Sequence, residues 1–146
     1  MRMLVMTFML ILVTGKVYAE NILMARSPNS FEITLQVTKK SLEEHGYTVA
    51  HIQRCDTGLG DVGLKTDRYR LLFIGKPDEI RSLTKKYPKL IPYVPLKMAV
   101  YAEENESLVA IFNPENLSRL FPQRDLRVQF SRWKSDFESI LEDVGK

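Results

Sequence analysis

Leu96-Lys97-Met98-Ala99-Val100-Tyr101, then Glu103-Glu104-Asn105-Glu106, then Leu108-Val109-Ala110-Ile111-Phe112: the reading of this stretch decides the fold. Two runs of apolar and β-forming residues flank a polar segment with the length and composition of a hairpin loop, so the two strands pair antiparallel. Upstream, Arg70-Leu71-Leu72-Phe73-Ile74 contains four consecutive apolar residues and stops at Gly75-Lys76-Pro77, the pattern of a buried central strand. Successive strand residues point to opposite faces, so the apolar runs at 71–74 and 108–112 put apolar side chains on both faces of the sheet.

Toward the N-terminus, Tyr47 to Asp56 is rich in β-formers and is followed by Gly58, Gly60 and Gly63, which mark a loop between strands. Ile22 to Arg26 predicts a further strand, and Ser27-Pro28-Asn29-Ser30 a turn with Ser30 as helix N-cap. From Phe31, Leu35, Thr38 and Leu42 recur at helical spacing until His45-Gly46 stops the helix, while Ile33 and Val37 form a second stripe on its other side. Toward the C-terminus, a short helix is expected from Asp78 to Lys86, then a connection punctuated by Pro88, Pro92 and Pro95. Asn113-Pro114-Glu115 starts another short helix ending near Phe121. The tail is amphipathic: Leu126, Phe130, Trp133, Phe137, Ile140, Leu141 and Val144 share one face.

This order of elements, with Leu71-Leu72-Phe73-Ile74-Gly75-Lys76-Pro77, Val94-Pro95-Leu96-Lys97-Met98-Ala99-Val100-Tyr101, Phe112-Asn113-Pro114 and the opening Ser27-Pro28-Asn29-Ser30-Phe31, resembles the domain of unknown function 302 family from about Ile22 to Phe121. The resemblance implies an α+β fold of the TATA-binding-protein-like kind, an antiparallel sheet with helices packed on one side, often dimeric and without any DNA-binding implication. On this reading residues 20–121 are the family domain, and 122–146 are a C-terminal amphipathic helical extension packing on the domain or on a partner.

Residues 1–19 carry the pattern of a signal peptide: Arg2, an apolar run from Met3 to Val13, and the small-residue site Val17-Tyr18-Ala19. The apolar run is about half of the roughly 20 residues that a membrane span needs, so export to the periplasm or the exterior is expected in place of a permanent anchor. Loss of Arg2 and Lys16 would lower Lys plus Arg from 21 to 19 against 18 Asp plus Glu, a near-neutral chain with no electrostatic claim on nucleic acid. Cys55, the only cysteine, has no internal partner and reads as a sequestered thiol, with a reactive or intermolecular one the alternative.

Enzyme chemistry finds little support. His51 and Cys55, four apart on a strand, would stand about 13 Å apart at roughly 3.3 Å per residue, too far to share a metal. Gly58, Gly60 and Gly63 lack the following helix of a phosphate loop, and no serine has the context of a nucleophile elbow. The basic run Lys85-Lys86-Tyr87-Pro88-Lys89 reads as a solvated helix end favoured by the C-terminal dipole. No catalytic residue, metal ligand or cofactor is therefore expected. The function read from the sequence is an exported, non-enzymatic interaction domain that forms a homodimer. The alternative is a cell-envelope binding protein for a small apolar ligand or porphyrin. Ile33, Val37, Phe130, Trp133 and Phe137 are the candidate interface residues, and the second face of the sheet is to be hidden by the tail helix, a subunit or a ligand.

Overall fold

The computed structural model describes residues 21–56 and 68–146. The signal pattern at 1–19 and the glycine loop at 58–63 lie outside them. Strand β1 (Ile22–Ser27) leads into helix α1 (Phe31–Glu44), followed by β2 (Thr48–Arg54), β3 (Tyr69–Gly75), α2 (Pro77–Lys86) and a 3-10 segment at Pro88–Tyr93. The hairpin β4 (Leu96–Ala102) and β5 (Ser107–Phe112), a second 3-10 segment (Pro114–Arg119) and the long helix α3 (Arg124–Val144) complete the chain. The five strands form one antiparallel sheet in the order β1-β5-β4-β3-β2. The fold is the expected α+β sheet with its helices on one side.

Period-two alternation sorts each strand onto two faces. On the inner face, Leu23 pairs with Ile111, Met98 with Ile111, Val100 with Val109, Leu72 with Met98, and Ile74 with Leu96. These side chains are buried with Phe31 and Leu42 of α1 and with Leu126, Phe130, Trp133, Phe137, Ile140, Leu141 and Val144 of α3 in one core. All seven apolar residues of the tail stripe are thus buried within the chain, each contributing on the order of 1.5–3 kcal/mol of transfer free energy before entropy is counted. The tail is part of the domain.

Helix α1 lies against α3 as well as the sheet. Its buried face is Phe31, Thr34, Thr38, Ser41 and Leu42, more polar than the expected stripe, and Leu35 is only half-buried. The hydroxyls are satisfied: Thr34 donates to Ser27 Oγ at 3.0 Å, Thr38 to the Thr34 carbonyl at 2.7 Å, and Ser41 to Asp143 at 2.9 Å. Small hydroxyl residues let two helices approach closely without leaving an orphan polar group. Ser30 holds the N-cap position, but its side chain makes no capping bond. At the other end Gly46 adopts φ +79°, and the amides of Gly46 and Tyr47 donate to the carbonyls of Glu43 and Leu42, the paired bonds of a Schellman stop. The helix expected at 115–121 is the second 3-10 segment, where Asn113 accepts the Glu115 amide at 3.0 Å.

Candidate functional site

Among the described residues, the outer face of the sheet carries exposed apolar side chains, Ile22, Met24 and Phe112. Both α1 and α3 lie on the inner face, so the tail helix does not cover the second face, and among the described residues no helix packs there. The register places side chains on this face in rows across the strands. In the middle row Met24 pairs with Ala110, Ala110 with Ala99, Ala99 with Leu71, and Leu71 with Gln53. A neighbouring row brings Ile22 beside Phe112, and Lys97 beside Phe73, which in turn pairs with His51. On the other side Arg26 pairs with Leu108, Leu108 with Tyr101, and Tyr101 with Tyr69.

The relief follows from side-chain size. Ala99 and Ala110, adjacent in the middle of the sheet, form a shallow trough between rows of larger side chains. Met24, Phe112 and Ile22 stand out of this surface with 55%, 47% and 44% exposure, while Leu71, Phe73, Tyr69 and Tyr101 are half-buried. Tyr69 and Tyr101 meet edge to face at 6.4 Å, and the His51 and Phe73 rings lie 5.7 Å apart. Lys97 places its ammonium 5.7 Å from the Phe73 ring centre. Burial, and after it the charge of nearby Cys55, holds the Tyr69 hydroxyl above its ordinary pKa, so it stays protonated and available as a donor.

Charge is confined to the margins. Arg26 forms ion pairs with Glu103 and Glu106 of the hairpin loop at one corner, and Lys97 stands in an outer row. The middle row holds no charged residue. Beyond Phe112 the apolar surface turns into a cleft of about 290 Å³ between the two 3-10 segments, lined by Pro92, Tyr93, Lys97, Phe112, Leu117 and Leu120 among others. Tyr93 and Leu120 are themselves 38% and 59% exposed.

The residues singled out from the sequence do not form this surface. Phe130, Trp133 and Phe137 are 0–1% exposed in the core, so they are not available as an interface. Trp133 spends its indole N–H on Glu79 at 2.7 Å, joining α3 to α2. Ile33 is exposed on α1, and Val37 is half-buried against the core. The structure therefore does not bring the five together, because a buried stripe looks the same in sequence whether it meets its own sheet or another chain. Cys55 is partly exposed just past β2 and is not a sequestered core thiol. His51 points from β2 to the open face, His45 lies beside the Ser41 carbonyl at 2.8 Å, and among the described residues no group of three or more His, Cys, Asp or Glu converges as a metal site. Ala99, Ala110 and Met24 are the open-face residues that sequence reasoning passed over. Carrying the period-two phase of Leu71 and Phe73 across the hairpin would have found the alanines.

Against known proteins, the model of the domain of unknown function DUF302 matches residues 24–144, running through the tail helix that the resemblance had left outside. A solved structure described as an uncharacterized conserved protein DUF302 from Bacillus stearothermophilus aligns with a TM-score of 0.78 at 16% identity, covering 86% of this chain and 99% of that one. At that identity the likeness concerns the fold alone. No curated protein matches the chain.

Proposed function

The chain belongs to the DUF302 family, whose name specifies no activity, and from that premise we propose that it is a non-enzymatic interaction domain that pairs with a second copy through the open face of its sheet. The observation that carries this reading is the apolar trough of Ala99 and Ala110 with Met24 and Phe112 exposed beside it. Five strands about 4.8 Å apart and six residues long give a footprint of roughly 20 by 20 Å. That is about 400 Å², roughly half of the ~800 Å² per partner of a standard interface, and side-chain relief and the apolar cleft at its edge add to it. A small molecule would leave most of it in water. Two such faces can pack as stacked sheets about 10 Å apart, meeting along the uncharged middle row with Lys97 at the strand ends left to reach solvent. Under a two-fold axis, the Met24 and Phe112 ridge of one copy can enter the alanine trough of the other.

Sedimentation from low micromolar concentration upward is expected to show a dimer, and Ala99→Arg, which puts a cation into the trough, a folded monomer. A monomeric parent, or a dimer indifferent to Ala99→Arg, overturns the assignment. A second reading, a small apolar ligand, is favoured by the cleft of about 290 Å³ between the 3-10 segments. Native mass spectrometry separates the two: added mass that disappears in Leu120→Asp supports the ligand.

The setting belongs to the same proposal. Arg2, the apolar run at 3–13 and Val17-Tyr18-Ala19 support an exported protein that starts at Glu20. N-terminal sequencing of fractionated cells is the check, and Met1 retained in the cytoplasm would refute it.

A further inference from the structure

A second groove lies where the second 3-10 segment meets the start of α3, on the helix-bearing side of the molecule. It is an open surface groove of about 610 Å³, and the exposed Arg119, Arg124 and Arg127 all line it, together with Ser118, Ser131 and Glu115. Convergent cations normally find carboxylates, but these three arginines form no ion pair among the described residues. Of the nearby acids, Asp125 is engaged outside the groove and Glu115 lies in its wall, bonded to Ser131 and to none of the three arginines. Asp125 accepts from Lys86 at 2.7 Å and Tyr87 at 2.6 Å, and Glu115 accepts from Ser131 at 2.8 Å.

The arginines also sit where helix electrostatics disfavour them. Arg124 is the first residue of α3 and Arg127 the fourth, at the positive end of the macrodipole, and Gln123 supplies no side-chain cap. Three guanidinium groups and a helix N-terminus therefore set the sign of the potential in the groove, against the single carboxylate of Glu115. A bound anion would relieve it. A lone carboxylate is satisfied by one arginine fork, whereas a tetrahedral phosphate presents oxygens to several forks at once and carries more charge. Val128, 64% exposed, lines the same groove and offers an apolar foothold next to the charge.

We propose that this groove binds a phosphate-bearing ligand, with Arg119, Arg124 and Arg127 contacting the phosphate and Val128 the organic part of the ester. The site stands apart from the open sheet face, so pairing through that face would leave it accessible, and its test does not depend on the oligomeric state.

The test is calorimetric titration of the full-length protein at low ionic strength with inorganic phosphate and glycerol phosphate, and co-sedimentation with phosphatidylcholine vesicles with and without phosphatidylglycerol. Glycerol phosphate is expected to bind at one site per chain. Arg124→Gln/Arg127→Gln should weaken binding at least tenfold, while Lys40→Gln/Arg81→Gln, which removes the same charge from exposed sites elsewhere, should leave it unchanged. Because the native arginines oppose the helix dipole, the first variant should melt no lower than the parent. Binding only to vesicles containing phosphatidylglycerol, lost in the same variant, assigns the phosphate to a lipid headgroup. Absence of binding to every probe, or an equal loss in both double variants, overturns the proposal.

Discussion

Replacing Trp133 by alanine separates the two roles that the tail helix could play. Trp133 heads the fully buried side chains by volume, packs 5.8 Å from the Phe130 ring centre and donates its indole N–H to Glu79 at 2.7 Å. Deleting a buried tryptophan costs about 3–5 kcal/mol, and the loss of the donor leaves Glu79 with Arg132 as its remaining partner. Against a total stability of about 5–15 kcal/mol for a domain of this size, that is a large fraction. It corresponds to a fall in melting temperature on the order of 10–20 °C. Trp133→Phe keeps most of the ring area and loses the hydrogen bond to a charged acceptor, so its cost is about 1.5–3 kcal/mol. Urea and thermal unfolding followed by circular dichroism give both numbers, and sedimentation below the melting temperature gives the association state. Association of the folded alanine variant should match the parent. A melting temperature within about 3 °C of the parent, combined with loss of the dimer, would refute the core assignment and put α3 at the interface.

Gly46→Ala is expected to cost about 1–2 kcal/mol, measured as a shift in the urea midpoint, because φ +79° lies in the left-handed region where a Cβ crowds the following carbonyl. Asp125 is held down at about pKa 2, chiefly by the Lys86 ammonium and then by the Tyr87 hydroxyl. A carboxylate depressed in the folded state stabilises it above the unfolded pKa of about 3.9, and that contribution is lost as pH falls through about 2. The stability gap between the parent and Asp125→Asn should therefore be present at pH 7 and close between about pH 4 and pH 2, as read from urea unfolding across that range. A gap constant with pH would show that the Asp125 contacts do not contribute through ionisation.

Much of the architecture was legible because it depends on local pattern. The hairpin from Leu96 to Phe112 announced itself by an acidic loop between apolar runs, and the tail by seven apolar residues at helical spacing. The apolar runs at 71–74 and 108–112 also revealed that both sheet faces are apolar. What amphipathicity cannot specify is the partner of a buried stripe. Phe130, Trp133 and Phe137 meet the chain's own sheet, which only the α3 docking position decides. The surfaces were harder to read because they are assembled from distant residues. Met24 reaches Ala110 only through the β1–β5 register, while Arg119, Arg124 and Arg127 are close in sequence but share a groove only because of the turn between the second 3-10 segment and α3.

The placement of β1 has a consequence for how the domain comes into being. Ile22 pairs with Phe112 and Ser27 with Ser107, so the first of the five described strands lies at the sheet edge beside the last of them. The helix that completes the core follows still later, and Val144 near its end is 1% exposed. Such distant pairings carry a loop-closure cost before any contact repays it, which slows folding. The core cannot close before the later elements are made, and a fragment lacking β1 or α3 would leave β5 unpaired on one side or the inner face of the sheet unroofed. Folding of the domain therefore waits for α3, which packs on both β1 and α1 and closes the core over elements made long before it.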